Sequence, residues 1–173
     1  MLYTAEFIPR KNHKFIIQSL PYLIKLIPNI KIVFAGTGIL LEGMKEYANS
    51  IGVAKYIDFL GFRSDVHKLA AIVDIGISSS KQEGLGLGLA EEMLCGIPVV
   101  ASEDRGHKEM IIHNYNGYMF PQNDKESFVK YINLLYDDPA LREKMGEAAF
   151  EKAQEFIVDK SIKSMAEIYR LYL

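Results

Sequence analysis

Ser78-Ser79-Ser80-Lys81-Gln82-Glu83-Gly84-Leu85-Gly86-Leu87-Gly88-Leu89-Ala90-Glu91-Glu92-Met93-Leu94-Cys95-Gly96-Ile97-Pro98-Val99-Val100-Ala101-Ser102 carries the pattern that decides the fold. A short apolar run ending in serines, Asp74 to Ser78, reads as a strand. A polar turn follows, then a glycine loop headed by Glu83. Leu89 to Cys95 reads as a helix with acids in its first turn, closed by Gly96 with Pro98 just beyond. Ile97 to Ala101 is the next strand. Two strands joined through a helix pair in parallel, because a parallel pair needs a long crossover whereas a hairpin needs only a tight turn.

The same alternation extends in both directions. Further strands are expected at Leu2 to Phe7, Lys31 to Ala35, Tyr56 to Leu60 and Tyr118 to Phe120, and helices at His13 to Leu26, Leu40 to Ser50 and Ser64 to Ala71. Pro21 is expected to kink or split the first helix. Near-continuous apolar strands such as Ile30-Lys31-Ile32-Val33-Phe34-Ala35 suit burial on both faces. The expectation is an α/β fold, a doubly wound parallel sheet of about six strands. Helical segments at Lys125 to Tyr136, Pro139 to Phe156 and Lys160 to Leu173 make a helical C-terminal tail. The stripe Ile162, Met165, Ile168, Tyr169, Tyr172 is read as a packing face.

At 173 residues, with 49% hydrophobic and 24% charged residues, the chain has the composition of one soluble globular domain. Twenty basic against 22 acidic side chains leave a formal charge of -2, without the basic excess of a nucleic-acid binder. The lone Cys95 excludes an internal disulfide and fits a reducing compartment. No membrane-spanning run and no signal-peptide pattern is present, so a cytoplasmic location is expected. The first strand starts essentially at Met1, which reads as a piece of something longer.

Glycine marks where backbone can approach a ligand closely. Gly36-Thr37-Gly38 follows a strand and precedes a helix, but Leu41 stands where the dinucleotide fingerprint needs a third small residue, so it reads as a tight turn. Gly84, Gly86 and Gly88 lie between a strand and a helix, where bare amides can meet an oxygen-rich ligand at the mouth of the sheet. Glu83 and Glu91 bracket this loop and are expected to face one crevice. Paired carboxylates there suit the vicinal hydroxyls of a sugar or ribose, whereas a phosphate would be repelled. His13, His67, His107 and His113 lack metal-ligand spacing and no Asp-x-Asp is present, so no metal site is expected.

The run from Glu83 to Ser102 resembles the signature of retaining glycosyltransferases of the two-domain GT-B fold, group 1: Glu83-Gly84-Leu85-Gly86, Glu91 eight positions after Glu83, then Cys95-Gly96-Ile97-Pro98-Val99-Val100-Ala101. Other segments fall in the family's order. Ala5-Glu6-Phe7-Ile8-Pro9-Arg10-Lys11-Asn12-His13 is similar to the opening of its donor-binding half. Val33-Phe34-Ala35-Gly36-Thr37-Gly38 and Ile57-Asp58-Phe59-Leu60-Gly61-Phe62 resemble the next two strand ends. Asp104-Arg105-Gly106-His107-Lys108-Glu109 and Asn114-Tyr115-Asn116-Gly117 resemble later loops, in the version of capsule and exopolysaccharide synthesis.

The resemblance implies a Rossmann-like half of a GT-B enzyme, residues 1-173 being the nucleotide-sugar domain and the acceptor-binding N-terminal domain lying outside the chain. The chain alone is then inactive. Glu83 would contact donor-sugar hydroxyls, helped by amides of Gly84, Leu85, Gly86 and Leu87. Glu91 would hold the ribose, Lys11 would neutralise the diphosphate, and Gly38, Phe62 and Arg63 would border the nucleotide. Glu6 stands where many members carry an arginine, with Arg10 as the neighbouring substitute. The implied donor is a nucleotide-diphosphate sugar, with no cofactor and no metal, transfer with retention, and peripheral contact with the inner membrane face through the full-length enzyme. A stand-alone nucleotide-sugar binding module and an epimerase-like domain remain as alternatives.

Overall fold

A computed structural model of the protein describes residues 1–157 and, beyond them, 165, 166 and 170. Six strands form one sheet in the order β3-β2-β1-β4-β5-β6: β1 (Leu2–Thr4), β2 (Ile32–Ala35), β3 (Ile57–Phe59), β4 (Gly76–Ser78), β5 (Val99–Ser102) and β6 (Gly117–Phe120). Every neighbouring pair is parallel. This is the doubly wound order whose direction reverses between β1 and β4, leaving a crevice at their carboxyl ends.

Among the described residues five α-helices connect the strands, α1 (His13–Leu26), α2 (Leu41–Ser50), α3 (Val66–Ala70), α4 (Leu87–Leu94) and α5 (Arg105–Met110), and two follow β6, α6 (Lys125–Asp137) and α7 (Pro139–Ala153). Side chains alternate across each strand and feed two cores. Tyr3, Ile32, Phe34, Val100, Tyr118 and Phe120 join α1, α2 and α6 on one face. Leu2, Ala35, Val99 and Ala101 point the other way, where Val66, Leu69, Leu89, Met93 and Ala149 cover them. α7 wraps the edge, with Met145 in the first core and Ala149 and Ala153 in the second.

Several expectations change. Pro21 does not split α1, because Phe15, Ile16, Leu20 and Leu23 are all buried and their packing outweighs the lost backbone bond. α4 begins at Leu87, two residues earlier than expected, so Glu91 is its fifth residue and no acid lies in its first turn. α5 was not foreseen, and Asp104 caps it by accepting from the amides of Gly106 and His107. The expected helix Lys160 to Leu173 falls almost wholly outside the described residues.

Candidate functional site at the sheet switch point

The crevice between β1 and β4 is built from three short segments. Pro9–Lys11 form a single 3₁₀ turn with no buried residue, followed by Asn12 in the left-handed region. So little apolar anchorage cannot order a turn, and hydrogen bonds from the sheet do so instead. Tyr3 donates its hydroxyl to the Lys11 carbonyl at 2.7 Å, and Ser79 Oγ donates toward the Asn12 and Lys11 carbonyls at 2.9 and 3.1 Å. Lys81 N reaches the Arg10 carbonyl at 2.7 Å, and Ser80 Oγ reaches it at 3.3 Å. Burial pushes the Tyr3 hydroxyl well above the ordinary tyrosine range, so it remains a donor.

This scaffold delivers Lys11 Nζ to Glu83 Oε1, an ion pair whose side chains are 15% and 9% exposed. The loop after Glu83 turns at Gly86, whose φ of +94° is open to glycine and costly for other residues. A Cβ at Gly88 would come within 2.5 Å of the Thr4 carbonyl, so this glycine lets the first turn of α4 lie against the end of β1.

Two adjoining cavities result. The smaller, about 30 Å³, is lined by Tyr3, Lys11, Ser78, Glu83, Gly86, Leu87 and His107. The larger, about 350 Å³, is lined by Glu6, Thr37, Phe62, Arg63 and Glu91. Thr4 and Gly88 border both. A third cavity of about 370 Å³ lies at the opposite end of the strands, by Met1, Ile75, Ile132 and Arg142. It is mostly apolar and far from the switch point, where such folds place ligands.

The structure thus groups Lys11, Glu83, Gly86 and Leu87 in one compartment and Glu91, Phe62 and Arg63 in the next. Both glutamates line the switch-point crevice, in adjoining compartments that share Thr4 and Gly88. Phe62 is 78% exposed, while Arg63 makes a two-pronged pair with Asp65 at 2.8 and 2.7 Å. Four residues fall elsewhere. The Arg10 side chain is exposed and lines neither cavity, since the turn is held by its carbonyl. Leu85 packs into the core beneath α4. Gly38 lies against the Phe7 backbone, leaving Gly36 and Thr37 on the cavity wall. Gly84 is exposed with open space around it.

Glu92, expected in the first turn of α4, is instead its sixth residue. It is wholly buried, accepts from Thr4 Oγ1 at 3.1 Å, and burial pushes its carboxyl well above the ordinary range. His107 is the residue that sequence reasoning missed. It is fully buried, with Nδ1 2.7 Å from the Ser102 carbonyl. The cap residue Asp104 was the available signal, since it starts a helix that turns His107 inward. Among the described residues no group of three His, Cys, Asp or Glu side chains could hold a metal ion, and no helix is long and apolar enough to cross a membrane.

The profile of the family described as "Glycosyl transferases group 1" matches residues 1–152. A Bacillus subtilis (strain 168) protein named as the glycosyltransferase EpsD is 34% identical over 173 residues, covering 100% of this chain and 45% of the relative. The Anabaena protein HepE, solved in complex with UDP, superposes with a TM-score of 0.89 at 24% identity, covering 98% of this chain and 48% of its own. The C-terminal domain of a group 1 family protein, LpcC of Francisella tularensis, superposes at 0.77 with 23% identity, covering 88% and 83%. The chain spans less than half the length of the curated relatives it matches, 45%, 42% and 48% in three of them. On the match of residues 1–152, the chain belongs to the group 1 glycosyl transferase family.

Proposed function

We propose that residues 1–173 are the donor-binding half of a two-domain glycosyltransferase, gripping a nucleotide-diphosphate sugar across the switch point. One observation carries this reading: two cavities joined at Thr4 and Gly88, one holding Lys11 with Glu83 and the other holding Glu91 with Phe62. The spatial order suits an elongated ligand with a diol at one end, a diphosphate in the middle and a sugar at the other end. Glu91 accepts the ribose hydroxyls, Phe62 and Arg63 lie against the base, and Lys11 meets the diphosphate. Glu83 takes sugar hydroxyls, with amides of the Gly84 to Leu87 loop beside it. HepE has been solved with UDP and with UDP-glucose, which supports a donor of this class for the present chain.

During transfer, charge grows on the departing diphosphate. A lysine and bare amides already aimed there stabilise it where it appears, without reorganisation. Transfer proceeds with retention and without a divalent ion. The acceptor site belongs to an N-terminal domain beyond this chain, and the whole enzyme works in the cytoplasm, against the inner membrane face and in polysaccharide synthesis. Calorimetric titration with UDP, GDP, ADP and their sugars tests the reading. Binding of at least one nucleotide sugar, unchanged by EDTA, is the expected result. Indifference to the whole panel overturns the donor-domain reading, and a strict need for magnesium or manganese overturns the metal-free grip.

A further inference from the structure

His107 sits in the first helical turn after Asp104, entirely out of solvent. A carbonyl can only accept, so the nitrogen 2.7 Å from the Ser102 carbonyl carries a hydrogen; Asp104 Oδ2 lies 3.1 Å from the same nitrogen. The ring is fixed in orientation and tautomer, as in other sites where a carboxylate or carbonyl secures one imidazole nitrogen so that the other can work. That other nitrogen, Nε2, is buried and has no partner among the described residues.

Its surroundings belong to the candidate site. The imidazole lines the small cavity together with Lys11 and Glu83, and Nε2 is 3.7 Å from where a Gly86 Cβ would stand. The preceding residue, Gly106, packs directly against Glu83, so α5 carries the ring and backs the glutamate at once. A purely structural histidine would explain the bond to Ser102 and leave Nε2 unaccounted for. Leaving such a group buried and unpaired costs about 1–3 kcal/mol.

We propose that His107 is a sugar-contacting residue of the donor site: Nε2 accepts a hydrogen bond from a sugar hydroxyl that enters the small cavity beside Glu83. The inference rests on the donor-domain reading above. At Nε2 a hydroxyl fits where a phosphate does not, Lys11 being the group in this cavity that meets the diphosphate. The lone pair on Nε2 and the carboxylate of Glu83 both attract a proton donor and both repel anionic oxygens. About 30 Å³ matches one such group rather than a whole ring, so the contact reads one hydroxyl of the sugar. Truncating a group that meets a single hydroxyl discriminates sugars without touching the nucleotide.

His107→Asn tests this, because its amide can still donate to the Ser102 carbonyl while nothing takes the place of Nε2. For the tightest binder among UDP-glucose, UDP-galactose and UDP-N-acetylglucosamine, affinity should fall about tenfold, while affinity for UDP stays within about twofold. Equal losses for UDP and the UDP-sugar, or no loss, overturn the assignment. Should the variant not fold, the wild-type chain with ¹⁵N-labelled histidine serves. The Nε2 resonance of His107 should move on adding the UDP-sugar and stay still on adding UDP; an unmoved resonance in a chain that binds the UDP-sugar sinks this inference alone. A wild-type chain that binds no UDP, GDP or ADP sugar sinks the donor-domain reading and this assignment with it.

Discussion

Glu91 and Glu92 are neighbours in sequence with opposite fates. Glu91 is exposed on the wall of the larger cavity, while Glu92 is buried against Thr4. Glu91→Ala should weaken UDP binding by about 1–3 kcal/mol, the scale of a charge-assisted hydrogen bond, with an unchanged melting temperature. Unchanged affinity with lower stability would mean that Glu91 serves only its helix. Glu92 should instead govern stability. Its raised pKa means that the folded state holds its proton more tightly than the unfolded chain, whose carboxyl titrates near 4.5, so stability falls as pH rises above that value. Glu92→Gln should flatten this decline, and a melting curve of Glu92→Gln that tracks wild type between pH 5 and pH 8 would refute it. His13 acts with the opposite sign. Stacked 3.9 Å from Phe7 and 4.7 Å from Tyr3, it is driven down to about 3 by burial, with the charge of Lys11 adding to the effect. Below the ordinary value of 6.5 the unfolded chain takes a proton that the folded chain refuses, so stability drains away between about 6.5 and about 3. His13→Phe should lower the melting temperature less on going from pH 7 to pH 5 than wild type does. Parallel curves would exclude this.

At the scale of elements, α4 is the part on which site and core both depend. Its first turn touches β1 through Gly88, and its buried face carries Leu89, Met93 and Glu92. Gly88→Ala places a methyl group against the Thr4 carbonyl and should cost about 1–3 kcal/mol of stability, the usual range for overpacking, together with weaker UDP binding. Chemical denaturation and calorimetry on the same variant check both effects, and a neutral substitution would mean that the helix can move away freely. Strands were legible in the sequence because apolar runs such as Ile32-Val33-Phe34-Ala35 have few other uses. The start of α4 was misread because glycine at 86 and 88 looks like loop, whereas tertiary contact with β1 lets the helix begin at Leu87. That two-residue difference puts both Glu91 and Glu92 beyond the first turn in which the sequence places them. α5 escaped notice because six residues give too short a pattern to show a period. The grouping of Lys11 with Glu83 was legible through the family resemblance, while His107 needed the fold to bring Ser102 and Gly86 around it.

The described residues form one doubly wound sheet with its candidate chemistry at the carboxyl ends of its central strands, open toward solvent at Leu87 and Phe62, which are 69% and 78% exposed. On the donor-domain reading, a reacting carbon held there meets nothing among the described residues that would bring an acceptor hydroxyl within reach or exclude water. The 173-residue chain should therefore bind a nucleotide sugar yet transfer nothing, and fusing a cognate acceptor domain ahead of Met1 should restore turnover. Robust transfer by the chain alone, assayed by release of the nucleoside diphosphate with acceptors present, would refute its standing as half an enzyme. The turn that carries Lys11 adds a consequence in time rather than in space. It owes its order to bonds from Tyr3, Ser79, Ser80 and the Lys81 amide, with no apolar residue of its own buried. An element fastened by hydrogen bonds and one ion pair, with no buried apolar anchor of its own, opens without disturbing the core. The Lys81 amide hydrogen becomes exchangeable at each such opening, so its deuterium uptake acts as a clock for the lysine turn, slowing when UDP spans the crevice and running ahead of the amides of β4 when nothing does.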